Sequence, residues 1–193
     1  MTHRKHPVQR QCSLISAAAL LAFAGTTQAA RFNPPDTSVQ MFQWSWNDIA
    51  TECTEWLGPQ GFGAVQISPP GASKQVNRWW GVYQPVNYVD LTNRMGTQTE
   101  LQNMIGACHN AGVRVYADIV VNQMATDAGT ATDGSHWNAA TLTYPYFSAN
   151  DFHGDCRITP ADYQSPAGRA NVMNCRLDGM PDLATESSYV QGQ

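Results

Sequence analysis

Charge is scarce in this sequence of 193 residues: Asp, Glu, Lys and Arg together make up 13%. The formal charge is −4, and no basic cluster follows the first ten residues, which argues against nucleic acid as a partner. No CxxC or HxxxH spacing occurs, so a zinc site ranks low. His109, His136 and His153 share no metal-ligand spacing. A Gly-x-Ser-x-Gly elbow is absent. Gly58, Gly61 and Gly63 do not directly follow the first expected strand, so no phosphate-cradling loop is present. Internal repeats and low-complexity tracts are missing too. What is abundant is aromatic: six Trp, seven Tyr and six Phe within 42% hydrophobic residues, enough for a packed core. A chain poor in charge and rich in aromatics suits flat, neutral, polar ligands better than phosphates.

Residues 1–30 have the layout of a secretory leader. Arg4, Lys5 and Arg10 form a basic start, an apolar run of small residues follows, and Gln28-Ala29-Ala30 offers a cleavage site. The apolar run is short for a membrane anchor, so export is expected. Cys12 lies in this leader. Cys53, Cys108, Cys156 and Cys175 remain, an even number in an exported chain, and predict two disulfides. The count alone allows three pairings.

The remainder predicts a β-α-β-α-β order. Residues 38–44 read as a strand. Ser45 then caps a helix with Asp48 three positions on. Its apolar stripe is Trp46, Ile49, Ala50, Cys53, Trp56 and Leu57, and Gly58-Pro59 ends it. Residues 62–67 read as a second, buried strand, followed by a long loop over 71–96. Thr97 and Glu100 form a capping box ahead of the stripe Leu101, Met104, Ile105 and Cys108. Cys53 and Cys108 thus fall on two successive helices that can bring them within bonding distance; Cys156 would then pair with Cys175. Residues 113–123 read as the strand around which the rest is organised, buried and β-branched, with Asp118, Asn122 and Gln123 at its carboxyl end. Short turns between alternating strands and helices imply parallel pairing. Residues 124–181 show no sustained helical period and read as an irregular excursion, with Trp137, Tyr144, Tyr146 and Phe147 as its small core. A loop of that length in a compact domain is usually functional. Residues 185–193 look like the start of a helix.

Three features carry chemistry. A buried strand tolerates Asp118 poorly unless it is paired or points into a site. Trp79 and Trp80 sit together in a loop; one is expected to cover the sheet end, the other to meet ligand. Indole faces stack on the C–H faces of sugar rings, and Tyr83 and Gln84 supply hydrogen bonds to hydroxyls. Asn122 and Asp182 are oxygen donors flanking the excursion, of the kind calcium takes, although most such residues in loops are simply turn formers.

Here the sequence resembles a known family. Residues 118–123 (Asp-Ile-Val-Val-Asn-Gln) are similar to the first conserved region of the α-amylases. Further matches are Phe42-Gln43-Trp44, the helix of Ile49, Ala50, Glu52 and Cys53, and Leu57-Gly58-Pro59 with Gly61-Phe62. Val65-Gln66-Ile67-Ser68-Pro69-Pro70, Trp79-Trp80 with Tyr83-Gln84-Pro85, and Cys175, Leu177, Gly179, Asp182 and Leu183 complete them. The resemblance implies the amino-terminal part of a (β/α)8 TIM barrel, about three strands, with an irregular domain inserted after the third. It implies residues 1–30 as leader, 31–123 as barrel, 124–181 as a calcium-linked insertion and 182–193 as the return to the barrel, cut short. The implied enzyme is a secreted retaining α-amylase, monomeric when full length and free of the membrane once the leader is removed. It would hydrolyse internal α-1,4 bonds of starch, glycogen or maltooligosaccharides.

By the same resemblance, Trp79, Trp80, Tyr83, Gln84, Asp118 and Gln123 bind substrate. Asn122, the Met173 carbonyl and Asp182 hold a structural calcium. The pairings Cys53–Cys108 and Cys156–Cys175 also match. Chloride is a possible second ion. Two departures stand out. The family usually has histidine where this chain has Gln123, whose amide donates but cannot become charged, so lower activity is expected. The family's catalytic carboxylates and its calcium-binding histidine match no residue here, so these residues are expected to be an inactive fragment. Competing readings are a non-catalytic secreted starch-binding protein and an amylase-family enzyme of other specificity, such as a transglycosidase or isoamylase. The match over residues 79–85 argues against the latter.

Overall fold

The computed structural model describes residues 37–193; the expected leader and Cys12 lie outside the described residues. Three short strands form a parallel sheet in the order β1-β2-β5: β1 Ser38–Met41, β2 Ala64–Ile67 and β5 Arg114–Ala117. Helix α1 (Trp46–Glu52) links β1 to β2, and α2 (Gln98–Asn110) precedes β5. The register aligns Val39 with Val65 and Val65 with Val115, and Met41 with Ile67 and Ile67 with Ala117. That alternate face of the sheet meets both helices. Met41, Val65 and Ile67 are buried there with Trp46, Ile49, Cys53, Leu101, Met104 and Cys108.

The caps form as their sequences predict. Ser45 accepts from the Asp48 amide at 3.1 Å and donates its hydroxyl to the Asp48 carboxylate at 2.6 Å. Thr97 and Glu100 make a complete box: the Glu100 amide donates to Thr97 Oγ1, and the Thr97 amide to Glu100 Oε2. Gly96, just before it, has φ +148°, and a Cβ there would stand 2.7 Å from the Trp46 ring. Asn47 then donates to Glu100 Oε1 at 2.8 Å, tying the first turns of both helices together. Deeper in the same interface lies the Cys53–Cys108 disulfide, with both cysteines fully buried.

Four expectations need correction. The three strands are shorter than expected: β1 stops at Met41, β2 begins only at Ala64, and β5 is confined to Arg114–Ala117. Trp56 is not on the core stripe but 61% exposed. The helix widens into a π turn over Cys53–Leu57, with the Gly58 amide reaching the Cys53 carbonyl. The extra residue in that turn keeps Cys53 and Leu57 inside and rotates Trp56 out. Strand β5 is not buried. Its residues range from half-buried to exposed, since β2 is its one partner among the described residues. The loop over 71–96 holds an antiparallel pair, β3 Ala72–Ser73 with β4 Pro85–Asn87, too short for alternation to mark.

The excursion is more ordered than its sequence suggests. It contains the hairpin β6 Ala128–Thr130 with β7 His136–Asn138, and a helix, α3 Arg169–Asn174, without a buried residue. A helix without a buried face has no apolar stripe to read. A second core joins Met124, Ala125, Trp137, Tyr144 and Phe147 to Val86 and Leu183. Tyr146, expected among them, is exposed. Helix α4 (Ser188–Gly192) follows near the expected place. No helix among the described residues is long and apolar enough to cross a membrane.

The second disulfide, Cys156–Cys175, spans 19 residues against 55 for the first. On chain entropy, removing the first with paired alanine substitutions is expected to cost about 4 kcal/mol and the second about 3 kcal/mol. Denaturant midpoints of the two double variants check the order; a larger loss from the Cys156/Cys175 pair contradicts it.

Candidate functional site

The polar residues gather where the parallel strands end. Just past β1, Gln43 takes φ +62° and its amide donates to Ser68 Oγ, just past β2, at 3.0 Å. Just past β5, the Asp118 amide donates to the Ile67 carbonyl at 3.1 Å. Over these ends runs a tight turn, Trp79–Tyr83. Its Tyr83 hydroxyl donates to Asp118 Oδ2 at 2.8 Å. The Trp79 ring meets Tyr83 edge-on at 5.9 Å and Phe42 at 6.2 Å. Trp79 is 60% exposed, so its indole is open to solvent, one residue removed from the Asp118 carboxylate through Tyr83. Next to Asp118 lies a cavity of about 170 Å³, walled by Pro70, Val82, Pro85 and Tyr88.

The structure brings Trp79, Tyr83 and Asp118 together, with Phe42, matched to the family but not expected in the cleft, as a neighbour. Of the other three cleft candidates, Gln84 and Trp80 face the excursion. Gln84 Oε1 accepts from the amide and hydroxyl of Thr126. Trp80 is half-buried, with Lys74 Nζ 5.7 Å above its ring. Lys74 in turn pairs with Asp127 and Thr126. Neither indole is core, contrary to the expectation for one of them. Gln123 donates its amide to the Tyr83 carbonyl at 3.3 Å, and its own carbonyl accepts from Tyr88 at 3.1 Å.

Asn122 and Asp182 meet across 60 residues of sequence: Asn122 Nδ2 donates to Asp182 Oδ1 at 2.5 Å. The backbones support this contact. Met124 donates to the Pro181 carbonyl and Leu183 to the Asn122 carbonyl, on either side of a bridge between Gln123 and Asp182. Asp182 is 1% exposed. Burial pushes its carboxyl above the usual range, against the pull of His153 and Asn122. His153, which spacing had set aside, lies 2.6 Å from Asp182 through Nδ1 and 3.0 Å from Glu186 through Nε2. Burial draws the imidazole down, but the two carboxylates outweigh it and leave the ring above its ordinary value. Met173 lies on α3 with its side chain turned largely to solvent, 54% exposed, so its backbone carbonyl is the donor it could offer to this group.

Among the described residues, no group of three or more His, Cys, Asp or Glu is arranged to hold a metal ion. A hard cation asks for something else: carboxylate, amide and backbone carbonyl oxygens. Asn122 and Asp182 fit that donor set, since a half-turn of the Asn122 amide presents its oxygen beside the buried carboxylate.

A parallel sheet with both helices on one face and an aromatic and acidic rim at its carboxyl ends is the arrangement found in (β/α)-barrel proteins. The family model "Alpha amylase, catalytic domain" matches residues 50–172. An α-amylase from Aeromonas hydrophila is 47% identical over 178 residues, 92% of this chain and 38% of that protein. Human pancreatic α-amylase is 41% identical over 166 residues, 80% of this chain and 32% of that protein. The crystal structure of wild-type α-amylase I from Eisenia fetida superposes with a TM-score of 0.73 at 38% identity, covering 80% of this chain and 33% of that one. The chain therefore belongs to the α-amylase catalytic-domain family, as an amino-terminal part of its TIM barrel. It spans about a third of the length of the relatives it matches.

Tyr83 gives this geometry a spectroscopic handle. Burial first, and then Asp118, push its phenol from 10.0 up to about 12. In the unfolded chain it ionises near its ordinary value of about 10. Its contribution to stability is thus complete below that pH and is lost as pH rises through about 12. Ultraviolet titration, with Tyr83→Phe as the subtraction, should show this late transition. Asp118→Asn should lower it without restoring the ordinary value, because burial is the larger cause. A Tyr83 transition that Asp118→Asn leaves in place contradicts the pairing.

Proposed function

We propose that this chain forms one wall of the sugar cleft, and the calcium-braced insertion, of a secreted α-amylase. Such an enzyme hydrolyses internal α-1,4-glucosidic bonds of starch and glycogen with retention. The observation that carries this reading is the exposed Trp79 indole, held through Tyr83 above Asp118 at the carboxyl end of the parallel sheet. An apolar ring beside an acceptor that is already oriented suits a glucose unit, which has C–H faces and hydroxyl edges. The maltohexaose complex of Eisenia fetida α-amylase I supports the substrate class.

The roles divide by what each side chain is free to do. Trp79 stacks on a sugar ring. Asp118, steadied by Tyr83, accepts from a sugar hydroxyl. Trp80 and Gln84, committed to Lys74 and Thr126, fix the turn against the excursion and reach substrate with their remaining edges. Gln123 occupies the histidine position of the family and offers a neutral donor. Residues 124–181 form the inserted domain. Asn122 and Asp182, with the Met173 carbonyl, are the residues that would hold calcium, which when bound supplies the positive charge that offsets Asp182. Two disulfides suit the export that residues 1–30 imply. Retaining hydrolysis needs two carboxylates about 5 Å apart. The family resemblance assigns no residue here to that pair, so these 193 residues should bind glucan without cleaving it.

Adsorption to insoluble starch, and tryptophan quenching by maltohexaose, test this. Trp79→Ala is expected to weaken binding roughly tenfold, the loss of one good stacking contact of about 1.4 kcal/mol. Trp80→Ala should cost less. No adsorption by the unaltered chain refutes the cleft, and reducing sugar released above blank refutes the assignment of catalysis to other residues.

A further inference from the structure

His153 has no part in the roles just given, yet it is hydrogen-bonded to Asp182 through both main chain and side chain. Its amide donates to the Asp182 carbonyl at 2.9 Å, and its Nδ1 meets Asp182 Oδ2 at 2.6 Å. Its Nε2 lies 3.0 and 3.1 Å from the two oxygens of Glu186. The neighbouring residues Phe152 and Leu183 form a bridge, so main chain as well as side chain holds the ring in place. Three segments meet here: the strand exit with Asn122, the excursion with His153, and the return with Asp182 and Glu186.

We infer that His153, backed by Glu186, is the positioning residue that aims the Asp182 carboxylate at the cation it would share with Asn122. This rests on the calcium reading above. A carboxylate rotates easily about its last torsion. With Oδ2 fixed on the imidazole, Oδ1 is the oxygen left facing Asn122. The rotation is then stopped before an ion arrives, so less freedom is lost on binding. Glu186 performs the same service for the ring, since its two oxygens hold Nε2 and leave Nδ1 directed at Asp182. Partners of this kind, one step removed from the ligand, typically change metal affinity by roughly 10–100-fold.

The test is competition for Ca2+ between the purified chain and a chromophoric chelator, with melting temperature followed with and without Ca2+. His153→Ala is expected to weaken Ca2+ binding by roughly 10–100-fold and to shrink the Ca2+-dependent rise in melting temperature. His153→Asn, whose amide nitrogen falls near the place of Nδ1, should recover most of the loss. Glu186→Gln should show a smaller loss. If the alanine variant does not fold, Asn against Gln decides: the longer Gln side chain reaches towards Glu186, leaves Asp182 Oδ2 unmet, and should bind Ca2+ more weakly than Asn. Alanine binding as tightly as the unaltered chain, or Asn no better than Ala or Gln, overturns the inference and leaves the calcium reading standing. No Ca2+ binding by the unaltered chain removes both.

Discussion

A single carboxylate with almost no access to water sets the terms for the lower half of this molecule. Burying an ion costs several kcal/mol unless its partners are close and well directed. Asp182 has its partners at both oxygens, Asn122 on one and His153 on the other. They come from separate stretches of chain, so the cost of burial is offset only when the excursion has folded back. The carboxylate therefore acts as a condition on the fold as well as a bond within it. The disulfide Cys156–Cys175 closes a shorter loop inside the same excursion and reduces the freedom that must be lost before Asp182 can be enclosed.

The upper half answers to a different constraint. Here α1 and α2 pack on one face of the sheet, with Cys53–Cys108 between them and Asn47–Glu100 joining their first turns. These signals are local, and so they were legible. Ser45 with Asp48, Thr97 with Glu100, and the stripe Leu101, Met104 and Cys108 each state a helix within a few residues. The parallel order follows from the alternation of such elements. The failures trace to physics that a local pattern does not contain. One extra residue in the π turn rotates Trp56 into solvent. Strands of two or three residues, such as β3 and β6, are too brief to alternate. Helix α3 has no buried face, so it carries no period.

The site was legible to a different degree. Trp79, Tyr83 and Asp118 were marked by residue type and by position near a strand end, and they do meet. Asn122 and Asp182 were marked as oxygen donors, and they touch. The environments of Trp80 and Gln84 were not visible, because Thr126 reaches Gln84 from 42 residues on, and the Lys74 above Trp80 is held by Thr126 and Asp127 from 52 and 53 residues on. His153 was passed over for the same reason. Its partners lie 29 and 33 residues on, at distances that no ligand spacing encodes.

The two halves are not independent. Asp182 pairs through its backbone with Gln123. Gln123 donates its side-chain amide to the Tyr83 carbonyl, and Tyr83 holds Asp118 with its hydroxyl and Trp79 with its ring edge. A short chain of contacts thus runs from the buried carboxylate to the exposed indole. The residue at position 123 sits in the middle of that chain. In the function proposed above, its identity bears on the cleft twice: as a donor near the sugar, and as the strut between the Asn122–Asp182 pair and the turn that carries Trp79 and Tyr83. A histidine there would have to satisfy both demands with a ring of fixed shape, whereas the Gln amide is longer and turns freely. The weaker electrostatics of a neutral amide and its greater reach are two consequences of the same substitution.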